Sequence, residues 1–442
     1  MKRLIAAIAV AAALPLSAQA EDLLQVYRDA RAYDAQYAAA RFALQAGEEK
    51  LPQGKSLLLP TLGFSASLND TSYQLNSDNP ALLPNASREF RTDGYTLNLS
   101  QPIYRKQNLL QYDEAQYQVK QAEATFGQAA QDLIVRAAQA YFDVLAAQDT
   151  LTLVGAQKAA ISEQLAQAKR NFEVGTATIT DTHEAQARYD LIIAQQIAAQ
   201  NDLQNKKSAL QQLTGKDYAH LAPLRKSVKL SLPNPNDAQS WIDLAEKQSY
   251  PVQVQQATTE IANLELKRNA AGHYPTLDLV ASYGKTDQTG TTLTPVGNNV
   301  TQGVVGLQLA VPLYQGGLLS SREREAAANY EKARQDLENA RRSAALTAHQ
   351  SYLGVVNGVA QVGALEQALI SSQSALDSNK LGYEVGVRIN IDVLNAQQQL
   401  YSTERDLALA RYNTITTQLK LKAAAGSLRQ EDLELVNLAL AP

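Results

Sequence analysis

Leu62-Gly63-Phe64-Ser65-Ala66-Ser67-Leu68-Asn69 places an apolar side chain at every even position and a small or polar one at every odd position. A period of two with one apolar face is the pattern of a half-buried β-strand. Three further stretches share it: Tyr95, Leu97 and Leu99 alternating with Thr96, Asn98 and Ser100; Leu277, Leu279, Ala281 and Tyr283; and Val305, Leu307, Leu309 and Val311. Residues 72–91 and 285–302 are rich in Asn, Asp, Ser, Thr, Gly and Pro and read as long solvent loops joining antiparallel pairs. In a soluble sheet the apolar face would need a core to receive it.

The remainder of the chain offers no such core. From Gln107 to Asn171 there is no proline, and only Gly127 and Gly155 interrupt a run dominated by Ala, Gln, Leu and Glu. At about 1.5 Å per residue this predicts a helical rod on the order of 100 Å. A second rod is predicted from Leu318 to Tyr383. Each is followed by a Val-Gly turn and a return helix of about half that length, over 181–213 and 391–425, and two more helices are predicted over 22–50 and 238–269. Leu221–Pro235 and the tail after Gly426 read as a small mixed collar halfway along the rod. Rods this long belong to coiled coils or to a helical tube.

Strands that are apolar outside and polar inside are what an outer-membrane barrel uses, with Tyr95, Tyr104, Tyr283 and Tyr314 available for its interfacial girdle. Four strands cannot close, because bacterial single-chain barrels start at about eight and an open sheet edge cannot sit in lipid. The expected architecture is mainly α with a membrane β-barrel shared between chains. Three protomers would supply twelve strands, and cyclic symmetry would continue the rods as a tube of helices.

The chain is also written twice. Tyr141 recurs as Tyr352, Val174-Gly175 as Val385-Gly386, Asp181 as Asp392 and Gly215 as Gly426, all 211 residues apart. Ser100-Gln101-Pro102-Ile103-Tyr104 recurs as Ala310-Val311-Pro312-Leu313-Tyr314, and Pro60-Thr61-Leu62 as Pro275-Thr276-Leu277. The period far exceeds the roughly 20–50 residues of a solenoid. Residues 21–231 and 232–442 are therefore read as two tandem structural repeats, the second carrying the C-terminal collar segment.

Lys2 and Arg3 precede an apolar run from Leu4 to Leu14, and Ser17-Ala18-Gln19-Ala20 closes it with small residues, so residues 1–20 read as a signal peptide. No uncharged apolar stretch of spanning length follows in the sequence. Removing residues 1–20 moves the formal net charge from −4 to −6, which argues against a nucleic-acid partner. An exported chain without cysteine has neither disulfides nor a lipid-bearing cysteine at its start. His183, His220, His273 and His349 are too dispersed for a metal site, and Thr214-Gly215-Lys216 lacks the spacing of a phosphate-binding loop. The sequence therefore predicts no enzyme, no cofactor and no energy source of its own.

Several stretches carry a resemblance over essentially the whole chain after residue 20. They are Asp22-Leu23-Leu24-Gln25-Val26-Tyr27, Leu58-Leu59-Pro60-Thr61-Leu62-Gly63, Ala140-Tyr141-Phe142-Asp143-Val144-Leu145, His273-Tyr274-Pro275-Thr276-Leu277-Asp278-Leu279, Val311-Pro312-Leu313-Tyr314-Gln315-Gly316-Gly317 and Gly382-Tyr383-Glu384-Val385-Gly386. With them the chain resembles the TolC family of Gram-negative outer-membrane channel-tunnels. The resemblance implies a homotrimer in outer-membrane lipid with a long helical tunnel in the periplasm. It also implies a passive exit duct for efflux or type I secretion, opened by docking of a periplasmic adaptor and an inner-membrane transporter, either ABC or proton-driven.

The resemblance further implies a gate at the turns after the rods. Thr180, Asp181, Tyr383 and Arg388 match its latch. The Tyr383 hydroxyl is expected to donate to Asp181 and the Arg388 fork to reach Thr180 or a carbonyl beside it. Without the resemblance, Asp181 followed by Glu184 fits a capping box, and Asn390 with Asp392 fits a cap and a first-turn acid. Asp392 matches one of the two aspartate rings that line the family's constriction, while Asn395 stands at the other. Val174, Gly175, Thr176, Val385, Gly386 and Val387 form the turn tips expected to meet the adaptor. The competing reading is a trimeric coiled-coil surface or structural protein, which leaves the four alternating strands unexplained.

Overall fold

A computed structural model describes residues 21–225 and 228–441; the expected signal peptide, 1–20, lies outside the described residues. In chain order the elements are α1 (Leu23–Tyr33), α2 (Ala35–Glu48), α3 (Lys50–Ser56), β1 (Thr61–Leu75), β2 (Ala86–Tyr104), α4 (Lys106–Glu173), α5 (Ile179–Thr214), α6 (Ala238–Gln248), α7 (Tyr250–Ala270), β3 (Thr276–Gln288), β4 (Asn298–Ala310), α8 (Leu318–Glu384), α9 (Asn390–Ala424) and α10 (Gln430–Asn437). The two rods are single helices of 68 and 67 residues. Contacts divide the chain into two compact units, and each unit draws on both repeats: one holds Ala43–Ala124 and Val254–Glu338, the other the remainder.

The first unit contains the sheet, an antiparallel meander in the order β1-β2-β3-β4. Its register places the predicted apolar residues opposite one another. Leu62 pairs Leu99 and Phe64 pairs Leu97; Leu97 pairs Tyr283 and Leu99 pairs Ala281; Leu279 pairs Leu307 and Leu277 pairs Leu309. Because side chains alternate across a strand, these residues share one face and Ser65, Thr96, Asn98, Ser282 and Gln308 share the other. The apolar face is bare: Phe64 is 70% exposed, Leu307 68% and Val305 77%. Outer edges β1 and β4 have no strand partner among the described residues.

The strands are longer than the alternation suggested. Pairing continues through Tyr73 with Arg88 and Leu75 with Ala86, and through Asp287 with Asn299. The connections shrink to residues 76–85 and 289–297. Ladder hydrogen bonds need only backbone, so polar residues can extend a hairpin beyond its apolar band. β4 in turn stops at Ala310, before Val311.

Arg105, just beyond β2, joins the sheet to α4. Its Nε and Nη2 donate to the two oxygens of Asp278 on β3 at 2.8 and 2.6 Å. Nearby, Gln101 Nε2 donates to the Leu58 carbonyl at 2.9 Å and Asn108 Nδ2 to the Leu57 carbonyl at 2.6 Å. In the helical part of this unit Leu110, Leu264 and Ala271 form a small apolar core.

The second unit holds the principal core. Leu23, Val26, Leu133, Tyr141, Phe142, Leu210, Leu221, Tyr412, Leu419, Leu428 and Leu433 are all buried in one cluster. They come from α1, the middle of α4, the ends of α5 and α9, and the predicted collar. The collar closes with isolated bridges, Glu21 with Leu221 and Leu224 with Leu440. The Tyr141 hydroxyl donates to the Ala222 carbonyl at 2.7 Å. By composition α8 contains a stretch apolar enough to span a membrane, which the sequence reading did not expect. In this unit Val355 of α8 packs on Trp241, Leu421 and Ala425, and Val362 packs on Leu407 and Ala410, while most of the apolar stretch stays unburied.

The helix predicted over 22–50 is broken at Asp34, and the one over 238–269 at Ser249. Asp34 caps the C-terminus of α1 through its N–H and the N-terminus of α2 through its carboxylate, which accepts from the Gln36 N–H at 2.6 Å. Its other oxygen meets Arg136 Nη2 at 2.6 Å.

Phe142 stacks on Tyr412 with ring centroids 5.5 Å apart, and the Tyr412 hydroxyl donates to Asp149 Oδ2 at 2.7 Å. Burial raises the Asp149 carboxyl above its ordinary range, and the tyrosine bond opposes that only in part. A raised carboxyl makes the fold bind more protons than the unfolded chain, so its contribution is fully present below the unfolded value near 3.8 and is lost as pH rises through the folded one. Asp149→Asn, which keeps an acceptor for Tyr412, is expected to raise the thermal midpoint at pH 7 and to flatten its dependence on pH on the acid side. Melting curves between pH 4 and 7 check this; a lower midpoint for the variant at pH 7 refutes it.

Candidate functional site

The two turns that end α4 and α8 are built alike. In the first, the Asn171 carbonyl accepts from the N–H groups of Thr176 and Ala177 at 2.8 and 3.2 Å. In the second, 211 residues on, the Gly382 carbonyl accepts from Val387 and Arg388 at 2.8 and 3.0 Å. Gly175 and Gly386 take φ of +77° and +80°, the left-handed conformation that glycine adopts without strain. Val174, Thr176, Val385 and Val387 stand around them, and the three valines are among the most exposed apolar residues of the unit.

Beyond the glycines the copies diverge. Thr178 caps α5: its Oγ1 accepts the Asp181 N–H at 3.3 Å, and Asp181 Oδ2 accepts the Thr178 N–H at 2.9 Å and hydroxyl at 2.8 Å. This is the capping box of α5, in place of the Asp181–Glu184 pair expected from sequence. The position equivalent to Thr178 is Ile389, which has no oxygen, so α9 starts without a side-chain cap. Asn390, the expected cap, is the first residue inside the helix; it is buried, and neither of its side-chain polar atoms has a partner. Asp392, standing where Asp181 does, pairs instead with Arg388 at 3.6 Å. Exposed ion pairs are worth about 0–1 kcal/mol.

Among the described residues neither expected latch bond is made within the chain. The carboxylate of Asp181 is occupied by its own helix start, which lies three residues away. The Tyr383 hydroxyl accepts from Asn171 Nδ2 at 3.0 Å, while the Tyr383 ring packs beside Leu376, Val393 and Leu400. Arg388 turns to Asp392, and Thr180 is exposed in the first turn of α5. All four residues nevertheless lie at the paired turns.

Asp392 and Asn395 line one groove on α9 together with Arg388 and with Ser371, Ala375 and Asn379 of α8. Asn395 is not free. Arg188 of α5 donates from Nη2 to Asn395 Oδ1 at 3.0 Å and from Nη1 to Gln398 Oε1 at 2.7 Å. Sequence reasoning missed Arg188, Asn171 and Thr178. A Thr-x-x-Asp signature announced Thr178; the other two act across helices and leave no local signal. Each of the four histidines is exposed, and no group of metal-ligating side chains is found among the described residues.

Comparison with known proteins places this arrangement in context. The family model described as outer membrane efflux protein matches residues 26–216 and again 241–427. The chain is 34% identical to the outer membrane protein TolC of Vibrio cholerae, across all of this chain and 99% of that protein. It is 32% identical to the alkaline protease secretion protein AprF of Pseudomonas aeruginosa, across 94% of this chain and 86% of the other. Among solved structures, the outer membrane channel CmeC of Campylobacter jejuni superposes with a TM-score of 0.79 at 18% identity, covering 95% of this chain and 90% of that one.

Proposed function

Since the chain belongs to the outer membrane efflux protein family, we propose that it is the outer-membrane exit duct of a tripartite efflux pump or a type I secretion system. It is an outer-membrane channel protein and not an enzyme. The observation that carries the reading is the four-stranded sheet, with one bare apolar face and two open edges, in the same chain as two rods of 68 and 67 residues. Lipid accepts such a sheet only when its edges are paired, and further copies of the chain can pair them. Three copies give a twelve-stranded barrel continued by a tunnel that extends into the periplasm. The partners are then a periplasmic adaptor at the tips formed by Val174, Gly175, Thr176, Val385, Gly386 and Val387, and an inner-membrane ABC or proton-driven transporter that supplies the energy.

The gate lies at the same end. Thr180, Asp181, Tyr383 and Arg388 form the latch, with Asp392 the constriction ring and Asn395 the neutral position beside it. Tyr383 is held by one neutral hydrogen bond and Arg388 by one exposed ion pair. Ties this weak suit a closed state that a docking partner undoes. The alternative, a coiled-coil surface or structural protein, gives no role to the apolar sheet face.

Detergent-extracted protein is expected to run as a trimer and to form discrete single channels in planar bilayers. A monomer in buffer without detergent, or a trimer that never conducts, overturns the proposal. One carboxylate per protomer also predicts weaker block by trivalent cations than in a channel with two acidic rings, with Asp392→Ala removing the residual block. Conductance measured against trivalent-ion concentration checks this, and an Asp392→Ala channel blocked like wild type refutes it.

A further inference from the structure

Arg188 is a residue whose chemistry the latch does not use. It projects from α5 to α9, and its two terminal nitrogens reach two acceptors one helical turn apart, Asn395 and Gln398. Both bonds join the two return helices. Apolar contact at this level rests on Leu394, which meets Ala185 and Ile192, with Ile391 beside it. Gln397, buried with Oε1 unpartnered, faces a cavity of about 20 Å³ that Arg188 also lines, enough for one water. The seam between α5 and α9 is thus sparsely sealed, and the fork spans it.

The fork also puts a fixed positive charge beside the constriction. Asn395 is one turn from Asp392 on α9 and lines the same groove. A guanidinium stays charged at every working pH and matches paired acceptors with a planar fork, which lysine cannot do. On the far side of the carboxylate lies Arg388.

We propose that Arg188 is a selectivity-setting and positioning residue of the channel: its fork holds α9 against α5, and its charge offsets the cation attraction of Asp392. This rests on the channel reading above. Two consequences separate the roles. Loss of the fork frees α9 and lets the narrow end widen; loss of the charge shifts permeation toward cations.

The test compares wild type, Arg188→Lys and Arg188→Gln as detergent-extracted trimers in planar bilayers under a potassium chloride gradient. Arg188→Lys keeps the charge and loses the planar fork, so conductance is expected to rise severalfold with the reversal potential close to wild type. Arg188→Gln loses the charge, so its reversal potential is expected to move toward the potassium equilibrium value. Trimers of normal heat resistance for both variants show that they fold. A merely structural residue would change heat resistance and leave the reversal potential alone, so that result overturns the proposal. Equal conductance and selectivity in all three proteins also overturns it while leaving the channel reading intact. A wild-type protein that does not conduct removes both.

Discussion

Arg105→Ala is expected to cost the first unit about 2–3 kcal/mol of stability, below the roughly 3–5 kcal/mol of fully buried pairs because water reaches the guanidinium. Asp278 has only 9% of its side chain exposed, whereas Arg105 has 41%. Removing the arginine leaves a nearly buried carboxylate facing Ala, with two charge-assisted bonds gone and no other ion-pair partner within reach among the described residues. The location raises the consequence. Asp278 stands opposite Pro102, where the pairing of β2 with β3 slips between Pro102 and Tyr104 because proline has no N–H to give the ladder. Arg105 closes that gap from the side. Asp278→Asn should cost less, since an amide oxygen still accepts one bond, and the double replacement Arg105→Ala with Asp278→Ala should cost less than the sum of the single changes. Urea midpoints of the detergent-solubilised protein measure all three; additive losses would show that the pair does not act as one.

The long helices were legible because nothing in them competes. Gln107–Asn171 contains no proline, and only Gly127 and Gly155 interrupt its good helix formers, so the boundaries fall within two residues of α4. The apolar face of the sheet was legible for a different reason: a period of two survives in sequence whatever the strand faces. Ends and interruptions were harder. Polar composition at Ser72–Glu89 reads as loop, yet Ser72 pairs Glu89, since solubility beyond the apolar band and backbone pairing are independent requirements. The break at Ser249 carried a signal in Pro251, which has no N–H for an i−4 bond and is tolerated only in the first turn of a helix, here that of α7. Asp34 had no such neighbour: it caps α1 through its N–H and α2 through its carboxylate, and its other oxygen pairs with Arg136, which lies far along the chain.

At the turns, the residues named from sequence bond to partners other than the expected ones. Asp181 offers two uses, a helix cap and a bond to Tyr383, and residue type does not choose between them. Thr178 decides for the cap by being three residues away. The repeat itself conceals the divergence: an alignment of the copies sets Thr178 on Ile389 and Asn171 on Gly382, so one copy caps and donates where the other does neither. Gly382 is small for a reason of its own, since a Cβ there would stand 2.7 Å from Arg388 Cγ. The side chain matched to the latch is therefore bedded against a glycine that the first copy does not need.

Gly426→Ala should be the most damaging single-methyl addition in the second unit, at roughly 2–5 kcal/mol, combining about 1–2 for a left-handed alanine with about 1–3 for overpacking. Gly426 ends α9 at φ +71°. Its N–H bonds the Ala423 carbonyl at 2.9 Å and the Ser427 N–H bonds Lys422 at 2.9 Å, the two bonds of a Schellman cap. A Cβ would run into the Gln248 carbonyl, backbone at the break between α6 and α7. Its repeat partner supplies the control. Gly215 ends α5 at the same φ of +71°, but the nearest obstacle to a Cβ is the ring of Tyr33, a side chain 62% exposed and free to swing. Gly215→Ala should therefore cost only the conformational part, about 1–2 kcal/mol. The two variants share one substitution and one backbone conformation, so the difference between them isolates what backbone contact adds. Thermal midpoints of the detergent-extracted protein should fall further for Gly426→Ala; equal losses would mean that the α6–α7 break yields as easily as a tyrosine ring.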